Sequence, residues 1–392
     1  MEKTPLSMRK HIAIFGRTNA GKSSLFNALL GQDISIVSDV SGTTTDPVVR
    51  AMELIPYGPV AVIDTAGLGD VTELGAAREQ KTKDILMRTD LVLLVSDVSD
   101  ETAIDFDFGK TPVLRVYTKC DIADKTEVEN KKLIRAQDIF LNGYAEEDLK
   151  ELKNRMVEEL GKQTADTETL LGNIVPEGGC VVLVIPIDDA APKGRIILPQ
   201  VQTIRDCLDN NIRAVATTVE TLKQTLEELP NVDLVVTDSQ AFGEVDEIVP
   251  KNIPLTSFSM LLANQKGRIG QLIKGTEIIN SLVDGDGILM LEACTHNTTH
   301  DDIGRVKIPN MLQKKTGKKL DFTHISGHDF PENIQKYRLV IQCGGCMINK
   351  KTIQNRLELF EEKGIPVTNY GVVLAFLTGI LERAGKIFED KD

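Results

Sequence analysis

Residues 16–23 read Gly16-Arg17-Thr18-Asn19-Ala20-Gly21-Lys22-Ser23, and no other stretch of the chain limits its fold so tightly. The pattern is G-x-x-x-x-G-K-[ST], which acts only between a strand and a helix. Residues 11–15 read as that strand and 24–30 as that helix. Glycines let the backbone fold around phosphate, and N–H groups at the helix N-terminus face the anion. Lys22 would reach the β- and γ-phosphates, and the Ser23 hydroxyl would coordinate Mg2+.

The rest of the first 160 residues agrees. Strand-like runs at 11–15, 60–63, 91–95 and 113–117 alternate with helical stretches, as in a mostly parallel sheet with helices on both faces. Asp64-Thr65-Ala66-Gly67 ends the second run. There Asp64 would hold Mg2+ through water, and the Gly67 N–H would sense the γ-phosphate. Within Gly42-Thr43-Thr44-Thr45-Asp46, Thr44 would close on Mg2+ and the γ-phosphate. Thr118-Lys119-Cys120-Asp121 ends a later run, where a carboxylate accepts from the N1–H and exocyclic amine of guanine. GTP and GDP are therefore the expected nucleotides. The catalytic candidates are Lys22, Thr44, Asp64 and Gly67. The nucleotide contacts are Gly16, Asn19, Ala20, Gly21, Lys22, Ser23, Ser24, Thr118, Lys119 and Asp121.

A chain of 392 residues exceeds one compact core. We expect an α/β protein with a P-loop GTPase domain at 8–165 and two further α/β domains, 175–266 and 267–392. Polar stretches at 161–168 and 176–179 read as linkers. The middle block has strands at 180–187 and 232–237 and helices at 201–210 and 217–229, without a catalytic motif. It reads as an assembly or docking domain. Asp188-Asp189 reads as a turn or cap before a metal pair. The last block has strands at 287–292 and 338–341 and a helix at 350–362. No internal repeat is expected. No apolar run approaches the roughly 20 residues that cross a bilayer, and the opening residues lack a secretory signal's apolar segment, so a cytoplasmic protein without a membrane partner is expected. The net charge of −13, the 4% aromatic content and the lack of tryptophan disfavour a nucleic-acid partner. Lys314-Lys315 and Lys318-Lys319 read as a solvated helix end rather than a phosphate-binding patch.

Three of six cysteines form a sparse constellation: Cys294-Thr295-His296, and Cys343-Gly344-Gly345-Cys346. Each group follows an expected strand, where open α/β sheets place their sites. Thiolates are soft ligands, and C-x-x-C lets two sulfurs face one metal. From spacing alone, zinc, an iron–sulfur cluster and no metal all stand open. His296 is the histidine best placed to approach a metal, ahead of His300, His324 and His328. Asp301, Asp302 and Gln342 could offer a weak oxygen. Cys120, Cys180 and Cys207 read as packed small hydrophobes.

The N-terminal third resembles the GTPases of the Era and TrmE type, through Asn19-Ala20-Gly21-Lys22-Ser23-Ser24 and Gly42-Thr43-Thr44-x-Asp46. In that group the asparagine matched by Asn19 helps bind K+, and Leu68 stands where Ras-like enzymes have a glutamine. The resemblance implies slow, K+-stimulated hydrolysis. Thr118 replaces the group's asparagine and Asn142-Gly143 its Ser-Ala, which implies looser guanine specificity. With Ala191-Pro192-Lys193-Gly194-Arg195, Asp302-Ile303-Gly304-Arg305 and Cys343-Gly344-Gly345-Cys346-Met347, essentially the whole chain resembles the HydF family of [FeFe]-hydrogenase maturation GTPases. That resemblance implies a homodimeric scaffold holding a [4Fe–4S] cluster on Cys294, Cys343 and Cys346, with His296 a possible fourth ligand. Family members receive a diiron precursor built with the radical-SAM maturases HydE and HydG and deliver it to the apo-[FeFe]-hydrogenase. The family's histidine before C-x-x-C is Gln342 here, which excludes that ligand. The competing function is a regulatory GTPase of ribosome assembly or tRNA modification with a structural zinc module.

Overall fold

The computed structural model describes residues 4–31, 47–65, 82–102, 106–163, 169–187, 193–292, 303–326, 331, 333–346 and 348–391. They form two compact units, Met1–Thr167 and Glu168–Asp392.

The first unit is built on a six-stranded sheet: β1 (Lys10–Gly16), β2 (Val48–Leu54), β3 (Gly58–Asp64), β4 (Leu91–Asp97), β5 (Val113–Thr118) and β6 (Ile139–Phe140). Its order is β2-β3-β1-β4-β5-β6, and only β2 runs antiparallel to its neighbour. Central β1 is covered on both faces, so Ile12 to Phe15 form a continuous buried run instead of an alternating one. Ile12 and Ile14 pack with Leu25 and Leu29 of α1 (Lys22–Gly31), while Ala13 and Phe15 face Ile63 and Phe108. Asp124 caps α2 (Lys125–Ile134) by accepting from the Thr126 and Glu127 amides. In α3 (Glu146–Gly161), Leu149, Leu152, Met156 and Leu160 recur at helical spacing and are the buried face. The four expected strands are present. β2 and β6 were not expected.

The second unit holds two four-stranded sheets. The first comprises β7 (Cys180–Val184), β8 (Arg213–Thr217), β9 (Leu234–Thr237) and β10 (Leu255–Ser257), with α4 (Leu198–Asp209), α5 (Leu222–Glu228), α6 (Phe242–Ile248), α7 (Phe258–Lys266) and α8 (Ile269–Lys274). The second comprises β11 (Gly287–Glu292), β12 (Asp321–Ser326), β13 (Leu339–Gln342) and β14 (Val367–Asn369), with α9 (Ile308–Thr316), α10 (Lys350–Glu362), α11 (Tyr370–Thr378) and α12 (Leu381–Gly385). Their orders are β10-β9-β7-β8 and β12-β11-β13-β14, all parallel. In each, the first strand is flanked by the second on one side, with the third and then the fourth on the other.

The two halves share more than topology, which overturns the expectation of no internal repeat. The Asp233 amide donates to the Cys180 carbonyl as that of Arg338 donates to Gly287, and Val235 donates to Pro254 as Val340 does to Pro366. Gly194-Arg195-Ile196-Ile197-Leu198-Pro199-Gln200 enters α4, and Gly304-Arg305-Val306-Lys307-Ile308-Pro309-Asn310 enters α9. Ile253-Pro254-Leu255-Thr256-Ser257-Phe258 matches Ile365-Pro366-Val367-Thr368-Asn369-Tyr370. Ser257 caps α7 by accepting from the Met260 amide, and Asn369 caps α11 by accepting from Val372. Loop lengths differ between the halves, so no single period runs through the sequence.

The halves are also interlocked. α8 of the first packs on β14 of the second, and α12 of the second on β10 of the first. Matched residues carry the exchange: Arg383 of α12 donates to the Val249, Pro250 and Ile253 carbonyls and pairs with Asp246, while Gln271 of α8 donates to the Leu357 carbonyl. One apolar core therefore runs from Leu170 to Phe388. At its centre the matched positions Ser259 and Gly371 meet. A Cβ on Gly371 would lie 2.0 Å from the Ser259 Oγ.

One expected helix begins later than the pattern implied. Residues 213–217 are the edge strand β8, which was not expected, and the helix expected at 217–229 is α5, which starts only at Leu222. Lys314 and Lys315 lie in the last turn of α9, which Gly317 closes at φ +68°, as a solvated helix end requires. Cys180 and Cys207 are buried, and burial pushes the Cys207 thiol up to about 11, as packed hydrophobes would show. Asp188-Asp189 lies outside the described residues. Among the described residues no helix is long and apolar enough to cross a membrane.

Candidate functional site

In the first unit, β1 ends in the phosphate loop and α1 begins at Lys22. Asn19 holds φ +63° and Gly21 φ +87°, the left-handed turns that wrap such a loop. The Lys22 Nζ donates to the Arg17 carbonyl across the loop at 2.7 Å, in the space a phosphate would take. The Ser23 Oγ donates to Asp64 Oδ2 at 2.9 Å. Among the described residues Asp64 Oδ1 is buried without a hydrogen-bond partner, and burial lifts this carboxyl above its ordinary range despite the Ser23 bond. A hydroxyl beside a carboxylate oxygen that lacks a donor fits Mg2+, with Ser23 as ligand and Asp64 behind it.

Thr118 is fully buried at the end of β5, and its Oγ1 donates to the Ala20 carbonyl at 2.7 Å. It ties the end of β5 to the phosphate loop. Lys119, at φ +61°, pairs with Asp97 at 2.8 Å, and Asp121 is exposed beside Gly143. Sequence reasoning missed Tyr144. Its hydroxyl donates to the Gly21 carbonyl at 3.2 Å, where a Cβ on Gly21 would collide with it. Burial raises its pKa. Gly143 and Tyr144 both hold positive φ, which turns the ring inward, and a tyrosine after Asn142-Gly143 carries no motif that would reveal this. Thr44 and Gly67 lie outside the described residues.

In the second unit, β13 delivers Cys343 and Cys346 to the C-terminal edge of its sheet, both half-buried. The Cys343 amide donates to the Leu291 carbonyl of β11, the strand that runs toward Cys294. Gly345 turns between the cysteines at φ +64°. Lys266, at the end of α7 and only 6% exposed, donates its Nζ to the Gly345 carbonyl at 2.8 Å and the Ile348 carbonyl at 3.0 Å. Arg356 of α10, 3% exposed, lies within electrostatic reach of Cys343; its burial lowers the guanidinium pKa and the thiol opposes this. Gln342 is buried, and among the described residues its Oε1 has no hydrogen-bond partner.

Glu292, at the end of β11, receives a forked contact from Arg305: Nε to Oε1 at 3.2 Å and Nη2 to Oε2 at 2.9 Å. Ser326 of β12 donates to the same carboxylate at 2.9 Å. Burial pushes Glu292 up, but the Arg305 and Ser326 bonds outweigh it and hold the carboxyl below its ordinary range. His324 sits 3.8 Å from Glu292. This clamp ties the described residues on either side of 293–302, the segment with Cys294 and His296. Both of those lie outside the described residues, as do His300, His328, Asp301 and Asp302. Among the described residues no group of three or more His, Cys, Asp and Glu could hold a metal ion. Two thiols on one turn, backed by buried cations, nonetheless fit an anionic thiolate-bound centre.

Comparison with known proteins follows the same division. Residues 170–267 match the hydrogen maturase F dimerization domain and 270–387 the hydrogen maturase F tetramerization domain. The junction falls between α7 and α8, so α8, which the repeat groups with the first half, lies within the tetramerization match from Gly270 onward. Residues 11–119 match the 50S ribosome-binding GTPase family. Over 124 residues the chain is 40% identical to the tRNA modification GTPase MnmE of Bordetella parapertussis, covering 29% of this chain and 27% of that one. Over 129 residues it is 38% identical to the GTPase Der of Sulfurimonas denitrificans, covering 30% and 26%. The chain thus spans about a quarter of the length of these relatives. The G domain of the T. maritima FeoB iron transporter aligns at a TM-score of 0.30 and 28% identity, over 38% of this chain and 98% of that one.

Proposed function

Because the chain belongs to the hydrogen maturase F family, we propose that this hydrogenase maturation GTPase is a scaffold and carrier. It holds a [4Fe–4S] cluster on Cys294, Cys343 and Cys346, with His296 a candidate fourth ligand. It receives a diiron precursor made with the radical-SAM maturases HydE and HydG, and hands it to the apo-[FeFe]-hydrogenase. When bound, a cluster on three thiolates supplies one iron open to an exchangeable ligand. The observation that carries this reading is the Cys343–Cys346 turn beside β11, in the half that matches a maturase domain, on a chain that also has a complete phosphate loop.

In the first unit Lys22 holds the β- and γ-phosphates, and Ser23, Thr44 and Asp64 hold Mg2+. The Gly67 amide reads the γ-phosphate, Asp121 reads guanine, and Asn19 helps bind a K+ that stimulates slow hydrolysis. Hydrolysis times partner exchange. The dimerization and tetramerization domain matches support oligomers, and a homodimer through 170–267 is the simplest. Serine at Cys294, Cys343 or Cys346 should abolish hydrogenase activation and cluster uptake while GTP hydrolysis persists. Full activation by those variants would refute the scaffold. The MnmE similarity of the first unit favours a second reading, a regulatory GTPase with a zinc module. It predicts zinc and no visible absorption.

A further inference from the structure

The two halves of the second unit act as internal controls for each other. Matched by strand and hydrogen bond, Cys343 stands where the first half has Asp238, and Cys346 where it has Ala241. Asp238 accepts from the Gln200 amide at 2.8 Å. Around the loop that carries the cysteines, the matched helices differ as well. Lys266 closes α7, and its counterpart on α11 is Thr378. Thr378 is exposed and donates only back to its own helix, at the Leu374 and Ala375 carbonyls. Lys266 is buried and reaches out of its own half into the cysteine turn of the other. A lysine kept merely to finish that helix would need neither the burial nor the reach.

Burying an ammonium costs free energy unless an opposite charge or strong dipoles compensate. Here the Nζ grips the carbonyl between the two cysteines, and Arg356, buried on α10, lies within electrostatic reach of Cys343. Thiolate, not thiol, is the ligand form of cysteine. Buried cations close to a half-buried thiolate pair favour its charged form.

We propose that Lys266 and Arg356 are positioning residues for the thiolate loop, which shape the Cys343–Cys346 turn and offset the negative charge of whatever the thiolates bind. The inference rests on the cluster reading above and adds to it that the first half, through α7, is part of the second half's site. Removing either cation should loosen a thiolate-bound cluster and make it harder to reduce, because the reduced centre carries one more negative charge.

The test uses the full chain, reconstituted anaerobically with ferrous iron and sulfide. Wild type is compared with Lys266→Gln, Arg356→Gln and Arg356→Lys. The readouts are the midpoint potential of the reducible centre by EPR-monitored titration and the rate of iron loss to a chelator, with far-UV circular dichroism as the folding check. Lys266→Gln keeps a donor for the Gly345 carbonyl but no charge. It should give a more negative potential and faster iron loss, on the order of tenfold. Arg356→Gln should act in the same direction, and Arg356→Lys should restore most of the wild-type behaviour. Should Lys266→Gln fail to fold, the Arg356 pair decides. Wild-type potential and iron retention in the folded charge-removing variants would overturn the inference alone. A wild-type chain that takes up no iron would instead overturn the cluster reading, and this inference with it.

Discussion

The first and second halves of the Glu168–Asp392 unit run through the same strand order, enter their first helix through the same Gly-Arg-x-x-apolar-Pro turn, and cap their last long helix from the same position. They diverge at the C-terminal edge of the third strand. One half has Asp238 and Ala241 there, with Asp238 accepting from the Gln200 amide, and the other has Cys343 and Cys346, with Lys266 on the turn between them and the buried Arg356 within electrostatic reach of Cys343. The shared parts are those that fold the module, since strand pairing, caps and proline-led helix starts act through the backbone. The parts that differ are side chains at a sheet edge, where chemistry can change without disturbing the core. Exchange of α8 and α12 then makes each half depend on the other for its covering helix.

Breaking that exchange should have the largest effect. Arg383→Met leaves Asp246 without its guanidinium partner and removes the guanidinium donor from the Val249, Pro250 and Ile253 carbonyls, of which Pro250 keeps the Ile253 amide, and should cost the second unit about 3 kcal/mol in chemical denaturation. Unchanged stability would deny that α12 anchors the first half. Next comes the contact at the centre. Gly371→Ala forces a Cβ onto the Ser259 Oγ and should cost about 2 kcal/mol. Adding Ser259→Gly should recover most of that loss, and a double variant no better than the single would mean the two positions do not meet.

A smaller, pH-dependent effect comes from Asp246. Burial pushes its carboxyl up, but the Lys251 and Arg383 bonds outweigh burial and hold it below the ordinary 3.8. A depressed carboxylate adds stability above its unfolded value and loses it as pH falls through the depressed one. Melting temperatures of wild type should therefore drop faster than those of Asp246→Asn between about pH 5 and pH 2. Parallel curves would contradict this. Least of all should Thr378→Lys matter. It places a cation at the exposed counterpart of Lys266, so stability should change by less than about 0.5 kcal/mol, with iron retention as in wild type.

The phosphate loop was legible because its chemistry is local: Gly16 to Ser23 carry their own backbone and side-chain requirements in eight consecutive residues. The β1, β3, β4 and β5 runs were legible as well, since strands buried on both faces read as largely apolar stretches, interrupted in β5 by the exposed Arg115. The duplication was not. Its two best matches, 194–200 with 304–310 and 253–258 with 365–370, are short and separated by loops of unequal length. Edge strand β8 was overlooked because a short, half-exposed strand carries too little apolar pattern to stand out. Lys266, Arg356 and Tyr144 escaped for another reason. A long polar side chain looks solvated in sequence, and only the tertiary fold shows it buried against a loop far along the chain.

The claim that one half of a duplicated unit has become the seat of an iron–sulfur centre meets its most direct test in metal and sulfide analysis, with EPR, of anaerobically purified protein, wild type beside Cys343→Ser. The account predicts about four irons and four sulfides per wild-type chain, with an EPR signal on reduction, and little of either in the variant. One zinc per chain, no sulfide and no visible absorption would contradict it.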